Sequence, residues 1–208
     1  MVVVILIGVL TVTAIPTMAE ARYNARTLDD ATMVAELFRT GRTRAMARGA
    51  AMLLQVSSAN AQASADLGTF MLYEAQSIGG SGVTPPLPVG APLSSCGSPT
   101  TVWSTIISNA ATTLIDQVNF NRATEQNAQI WATIADTSGA VGAGSLCYTP
   151  LGRAYYQATA TPSFTPGVNL LHGELQIALH RSGTGSGATG LTRTVIVPDS
   201  GSTRIVSK

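Results

Sequence analysis

The sequence predicts an α+β fold, with one long N-terminal helix over residues 1–49 and a β-rich antiparallel head over residues 50–208. Three observations predict it. Met1 to Ala19 carries no charged side chain. Residues 18–49 repeat apolar or small side chains at steps of three and four. The remainder holds short strand-like runs between Gly, Pro and Ser clusters, without regular βαβ alternation. Composition narrows the function. Charged residues are 11% of the chain and the formal net charge is +1, so no bulk charge points to nucleic acid or an acidic substrate. Two His and two Cys are too few for the usual zinc module or iron–sulfur protein. A hydrophobic fraction of 45% with so little charge is the reverse of a disordered composition.

The first element begins with an almost purely aliphatic run, MVVVILIGVL. A helix over residues 1–19 would span about 28 Å, close to a bilayer core. Such a run reads as a cleavable signal peptide ending at Thr17-Met18-Ala19, as a buried core helix, or as a membrane anchor that continues outward as a helix. No Lys or Arg precedes Arg22, so the basic n-region of a signal peptide is missing. The residues after Ala19 favour the anchor. Leu28, Ala31, Ala35, Phe38, Gly41 or Arg42, Ala45 and Gly49 form one helical stripe, and Arg26/Asp30 and Glu36/Arg39 are spaced as ion pairs. Pro16 predicts a kink in this helix.

Residues 50–56 and 69–74 (TFMLYE) read as strands, and 78–99 as an irregular loop with five prolines between Pro85 and Pro99. Trp103, Ile106 or Ile107, Ala110, Leu114 and Val118 step at helical spacing, with Ser98-Pro99 as cap and first turn; the Thr content leaves a strand open. Further strands are read at 130–135, 146–149, 153–159, 175–180, 193–197 and 203–206.

Few constellations carry chemistry. Gly185 to Gly190 matches G-x-G-x-x-G, but a strand-like LTRTVIV comes next, where a dinucleotide site needs a helix. It reads as a hairpin loop, and no cofactor is expected. His172 and His180 would stand ~26 Å apart on an extended strand, so they read as surface residues rather than metal ligands. No G-x-S-x-G elbow is present, and no enzyme activity is expected. Cys96 and Cys147 are the only cysteines. In an oxidising compartment they are expected to pair, closing a loop of about 50 residues with a chain-entropy gain of about 4 kcal/mol. Two buried thiols are the other reading. Arg39, Arg42, Arg44 and Arg48 put four positive charges into ten residues, read as a solvated helix face or as a contact to lipid, DNA or a neighbouring subunit.

MVVVILIGVLTVTAIP resembles the N-terminal helix of type IV pilins and type II secretion pseudopilins, including its proline. LFRTGRTRAMARGAAMLLQV, LCYTPLGRA and TRTVIVPDSGSTRIV resemble the helix end, strand–turn and last hairpin of the GspH/FimT-type branch. The family's basic leader and its acid before the aliphatic run have no counterpart here, which implies a chain beginning downstream of the usual start. The resemblance implies a pilin-like fold and a non-catalytic minor pilin or pseudopilin. Its assembly helix would use Val2, Val3, Val4, Ile5, Leu6, Ile7, Val9, Leu10, Ile15 and Pro16. The implied partners are other subunits, the inner membrane before assembly, and a tip adhesin or secreted substrate. The implied location is the inner membrane with a periplasmic head, then the filament. Some members clamp DNA with Gly-Arg-x-Arg at the last hairpin. Here the residues are Gly201-Ser202-Thr203-Arg204, so only Arg204 matches and DNA binding is not expected. The alternative, from a different class, is a secreted or periplasmic β-rich binding module released by cleavage near Ala19.

Overall fold

The computed structural model describes residues 2–57, 68–79, 87–97, 101–120, 130–165, 167–182, 188–199 and 203–207, with the side chains of 2–17, 19, 130, 131, 182, 188 and 189 outside the description. Helix α1 runs over Val2–Arg48 and is continuous through Pro16. It stops at Gly49, whose φ of +68° suits a residue without a Cβ, and whose N–H donates back to the Ala45 carbonyl.

Thr27, Ala31, Val34, Ala35, Phe38, Gly41 and Ala45 form the buried face of α1. The expected stripe is offset at its start, because Leu28 is exposed and Thr27 is buried in its place. The Thr27 hydroxyl donates to the Tyr23 carbonyl one turn back. Its polar atom is therefore satisfied locally and the side chain can face the core. Gly41 matters for a different reason: a Cβ there would lie 2.8 Å from Leu54 Cδ1 and 3.1 Å from Leu72 Cδ1. Its absence lets the helix backbone approach the sheet.

The head contains two five-stranded antiparallel sheets. The first orders β3 (Leu114–Asn119), β2 (Thr69–Glu74), β1 (Met52–Ser57), β6 (Ala143–Tyr148) and β7 (Ala154–Gln157). The second orders β10 (Arg204–Ser207), β9 (Ala188–Pro198), β8 (Glu174–Ser182), β4 (Ile130–Asp136) and β5 (Gly139–Val141). Met52, Leu54 and Val56 of β1, Ile177 and Leu179 of β8, and Val195 and Val197 of β9 join the buried face of α1 in one core. On β1 the alternate residue Leu53 faces a second, smaller core, so this strand is buried on both sides and reads as a near-continuous apolar run.

That second core is roofed by α2 (Trp103–Ser108), α3 (Ala110–Thr113) and the segment around Leu93 and Cys96. Here the helical reading of 103–118 needs correction. The helix breaks at Asn109 (φ −102°, ψ 37°), and the chain enters edge strand β3 at Leu114. Ile115 and Val118 pack against the main core, and β3 gains a backbone ladder with β2, which outweighs the helical spacing of Leu114 and Val118. Val102 occupies the N-cap of α2 without a side-chain bond; Ser98-Pro99 lies outside the described residues. The three-residue strand β5 is not predicted by the sequence. It comes after a turn in which the Asp136 carboxylate accepts from the Ser138 N–H at 2.7 Å.

Candidate functional site

The two ends of the docked part of α1 differ in chemistry. At the N-terminal end, Met18, Glu20, Ala21 and Arg22 are exposed. Among the described side chains, the first to meet the head is Tyr23, whose ring lies 4.8 Å beneath the Arg181 guanidinium. Asn24 Oδ1 lies 3.2 Å from the place a Cβ would take on Gly190. The candidate assembly residues Val2 to Pro16 are helical, and their side chains lie outside the described residues. Among the described residues, no helix is long and apolar enough to cross a membrane.

At the C-terminal end the arginine cluster stays partly exposed, as the solvated-face reading expects, and is also fastened to the head. Arg48 donates through Nε and Nη2 to Glu74 Oε1 at 3.1 and 2.9 Å. Arg44 Nη2 stands 3.5 Å from Glu74 Oε2. Arg39 donates to the Thr203 carbonyl at 2.8 Å, and Arg42 lies beside Gly152 of the β6–β7 turn. Glu74 is 1% exposed, at the end of β2. Burying a carboxylate there requires a cation, and among the described residues the last turns of α1 bring two, Arg44 and Arg48. Sequence reasoning missed Glu74; the one signal was an acid inside the apolar run TFMLYE.

Cys96 and Cys147 form a disulfide, with Cα atoms 6.0 Å apart. It ties the 87–97 segment to β6, the pairing expected from the sequence. The segment is also held by bonds other than the disulfide. Leu93 exchanges backbone bonds with Ala51 and Ala75, Ser77 donates to Ala91, and the Trp103 indole N–H donates to the Cys96 carbonyl at 2.8 Å. Residues 80–86 and 98–99 of the expected loop lie outside the described residues.

Beside the disulfide opens a groove of about 480 Å³, lined by Ser94, Cys96, Leu151, Arg153, Tyr155 and Phe164 among others. Tyr155 and Phe164 meet edge to face, centroids 6.5 Å apart. The turn Thr149–Arg153 forms the opposite wall. It is closed by bonds from the Gly152 N–H to the Thr149 carbonyl and from the Thr149 N–H to the Arg153 carbonyl, with Gly152 at φ +76°.

The remaining candidates stand apart. Arg204 is exposed and pairs with Glu174 at 3.5 Å. His172 is exposed. His180 is half-buried rather than a surface residue: its ring nitrogens lie 3.0 Å from the Thr133 hydroxyl and 3.4 Å from that of Thr192, and burial holds its pKa below the usual histidine value. Gly173, at φ +91°, precedes β8 and separates His172 from the strand. Of the glycine-rich run, 185–187 lie outside the described residues and 188–190 belong to β9. Among the described residues, no group of three His, Cys, Asp or Glu is placed to hold a metal ion. No protein-family model, curated protein or solved structure matches the chain.

Proposed function

We propose that this chain is a non-catalytic filament subunit, a minor pilin or pseudopilin of the GspH/FimT type with a pilin-like fold. One observation carries the reading. A single helix of 47 residues supplies the buried face of the head, and among its described side chains the first to meet the head is Tyr23. At 1.5 Å per residue, the part before Tyr23 is about 30 Å long; its sequence is almost purely aliphatic to Leu10 and uncharged to Ala19. An aliphatic rod is stable in lipid and equally stable against neighbouring aliphatic rods. Packing between small and apolar side chains can therefore move it from membrane to polymer. The partners proposed are other subunits and the inner membrane, with a tip adhesin or secreted substrate at the head. The location proposed is the membrane with a periplasmic head, then the filament.

The test is truncation. The boundary belongs before Tyr23, because a cut near Thr27 would remove the Tyr23–Arg181 contact. A fragment starting at Arg22 should be soluble and monomeric by sedimentation, whereas the full chain should need detergent and self-associate without it. A full chain that stays monomeric in plain buffer sinks the proposal. Mass spectrometry of protein from its native compartment adds a second arm. A mature N-terminus at Glu20 would assign the chain to the secreted-module class instead.

A further inference from the structure

The groove beside the disulfide has features that the filament proposal does not use. Its floor is apolar and aromatic, formed by the disulfide and the Tyr155–Phe164 pair. Leu151 on its rim is 83% exposed, held outward on a tight turn. No acid is among its lining residues. Arg153 is exposed, and among the described residues its guanidinium meets no acid within ion-pair distance. Both walls are set before anything binds: one is covalently fixed to β6 and the other is a hydrogen-bonded turn. A preformed site avoids the ordering cost of binding.

Position adds to this. The turn forming one wall lies beside Arg42 and Met46, some six helical turns, or about 35 Å, from Tyr23. The groove therefore sits beside the C-terminal end of α1, far along the helix from the Tyr23 contact. Its volume falls within the range of ligand pockets. Its constituents are those that anchor protein partners, namely an aromatic, an arginine and an exposed apolar side chain around a concave centre.

We infer that this groove is a docking site for a segment of a partner protein that carries an apolar side chain next to a carboxylate, the apolar group covering Tyr155, Phe164 and Leu151 and the carboxylate meeting Arg153. Charge complementarity decides the occupant. A purely apolar segment would leave the guanidinium unpaired, and a basic one would be repelled. Docking of this kind requires no polymerisation of α1.

The experiment uses the full chain in nanodiscs, with empty nanodiscs as blank, and three sets of fluorescent pentapeptides. These have a shared apolar pair followed by an acidic, a neutral or a basic residue, and decanoate serves as a non-peptide carboxylate. Polarisation should show saturable binding of the acidic set below ~1 mM, at least about tenfold tighter than the basic set. Arg153→Glu should reverse that order, and Leu151→Asp should weaken all three sets, with the unfolding midpoint unchanged in both. Should Arg153→Glu not fold, Arg153→Gln must bring the acidic and neutral sets level. Equal binding of acidic and basic sets, no saturation by any peptide, or an order indifferent to residue 153 overturns the inference. Tight binding of decanoate without peptide binding overturns its assignment to a protein partner.

Discussion

Removing the cations from Glu74 should cost more than removing the carboxylate itself, and the difference can be worked from the structure. Glu74 is 1% exposed, while the side chains of Arg48 and Arg44 are 54% and 37% exposed. Replacing Glu74 by Gln leaves two guanidiniums that can turn to water. The loss is then that of two charge-assisted hydrogen bonds, about 1.5–3 kcal/mol. Replacing both arginines by Ala leaves a buried carboxylate without a counter-ion. Breaking a buried pair in this way costs about 3–5 kcal/mol. The single variant Arg48→Ala should fall lower, about 1–2 kcal/mol, because Arg44 already stands 3.5 Å from Oε2 and can close on it. The distinctive outcome is a rescue. Adding Glu74→Gln to the Arg44→Ala/Arg48→Ala background should restore about 2 kcal/mol, since the charge that could not be solvated has gone. Urea unfolding at pH 7, followed by circular dichroism, measures all four variants. If Glu74→Gln costs as much as the double arginine variant, or fails to restore it, the carboxylate is not a buried charge held by these cations.

Three further outcomes are expected. Reduction of Cys96–Cys147, 51 residues apart, should lower stability by up to about 4 kcal/mol on the chain-entropy model and speed proteolysis within 87–97, while the sheets persist; two thiols reactive in the native, unreduced protein would contradict the bridge. The depressed His180 pKa means that the unfolded chain takes up a proton more readily than the folded one as pH falls through the ordinary histidine value of 6.5, so stability should fall as pH drops from 7 toward 5. In His180→Gln that fall should be shallower, and an identical pH slope in denaturant titrations would refute the assignment. Gly41→Val should destabilise by about 1–3 kcal/mol through overpacking against Leu54 and Leu72, both fully buried; a neutral result in thermal unfolding would place the helix farther from the sheet.

Which features could be read from the sequence depends on their range. The long helix and the β8 alternation were legible because their signals repeat within a few residues. The paired cysteines were legible because only one pairing exists. The buried Glu74 and the change from helix to strand at Leu114 were not, because both depend on partners distant in the chain: Arg48 is 26 residues from Glu74, and β3 forms on β2. Thr27 was overlooked for a local reason. A hydropathy stripe treats threonine as polar, yet its hydroxyl is satisfied on its own helix. The groove was hidden inside PLGR, which the sequence could show only as a turn.

The fastening of α1 at both ends of the head has a mechanical consequence. A chain pulled by its N-terminal segment would carry tension along the helix axis, parallel to the interface with both sheets. The Tyr23–Arg181 contact, the buried stripe from Thr27 to Ala45 and the Glu74 clamp are then strained together in shear, instead of being peeled apart one after another. Extraction of the helix requires simultaneous rupture along about 35 Å of interface, so the head resists pulling along α1 far better than lifting of either end sideways.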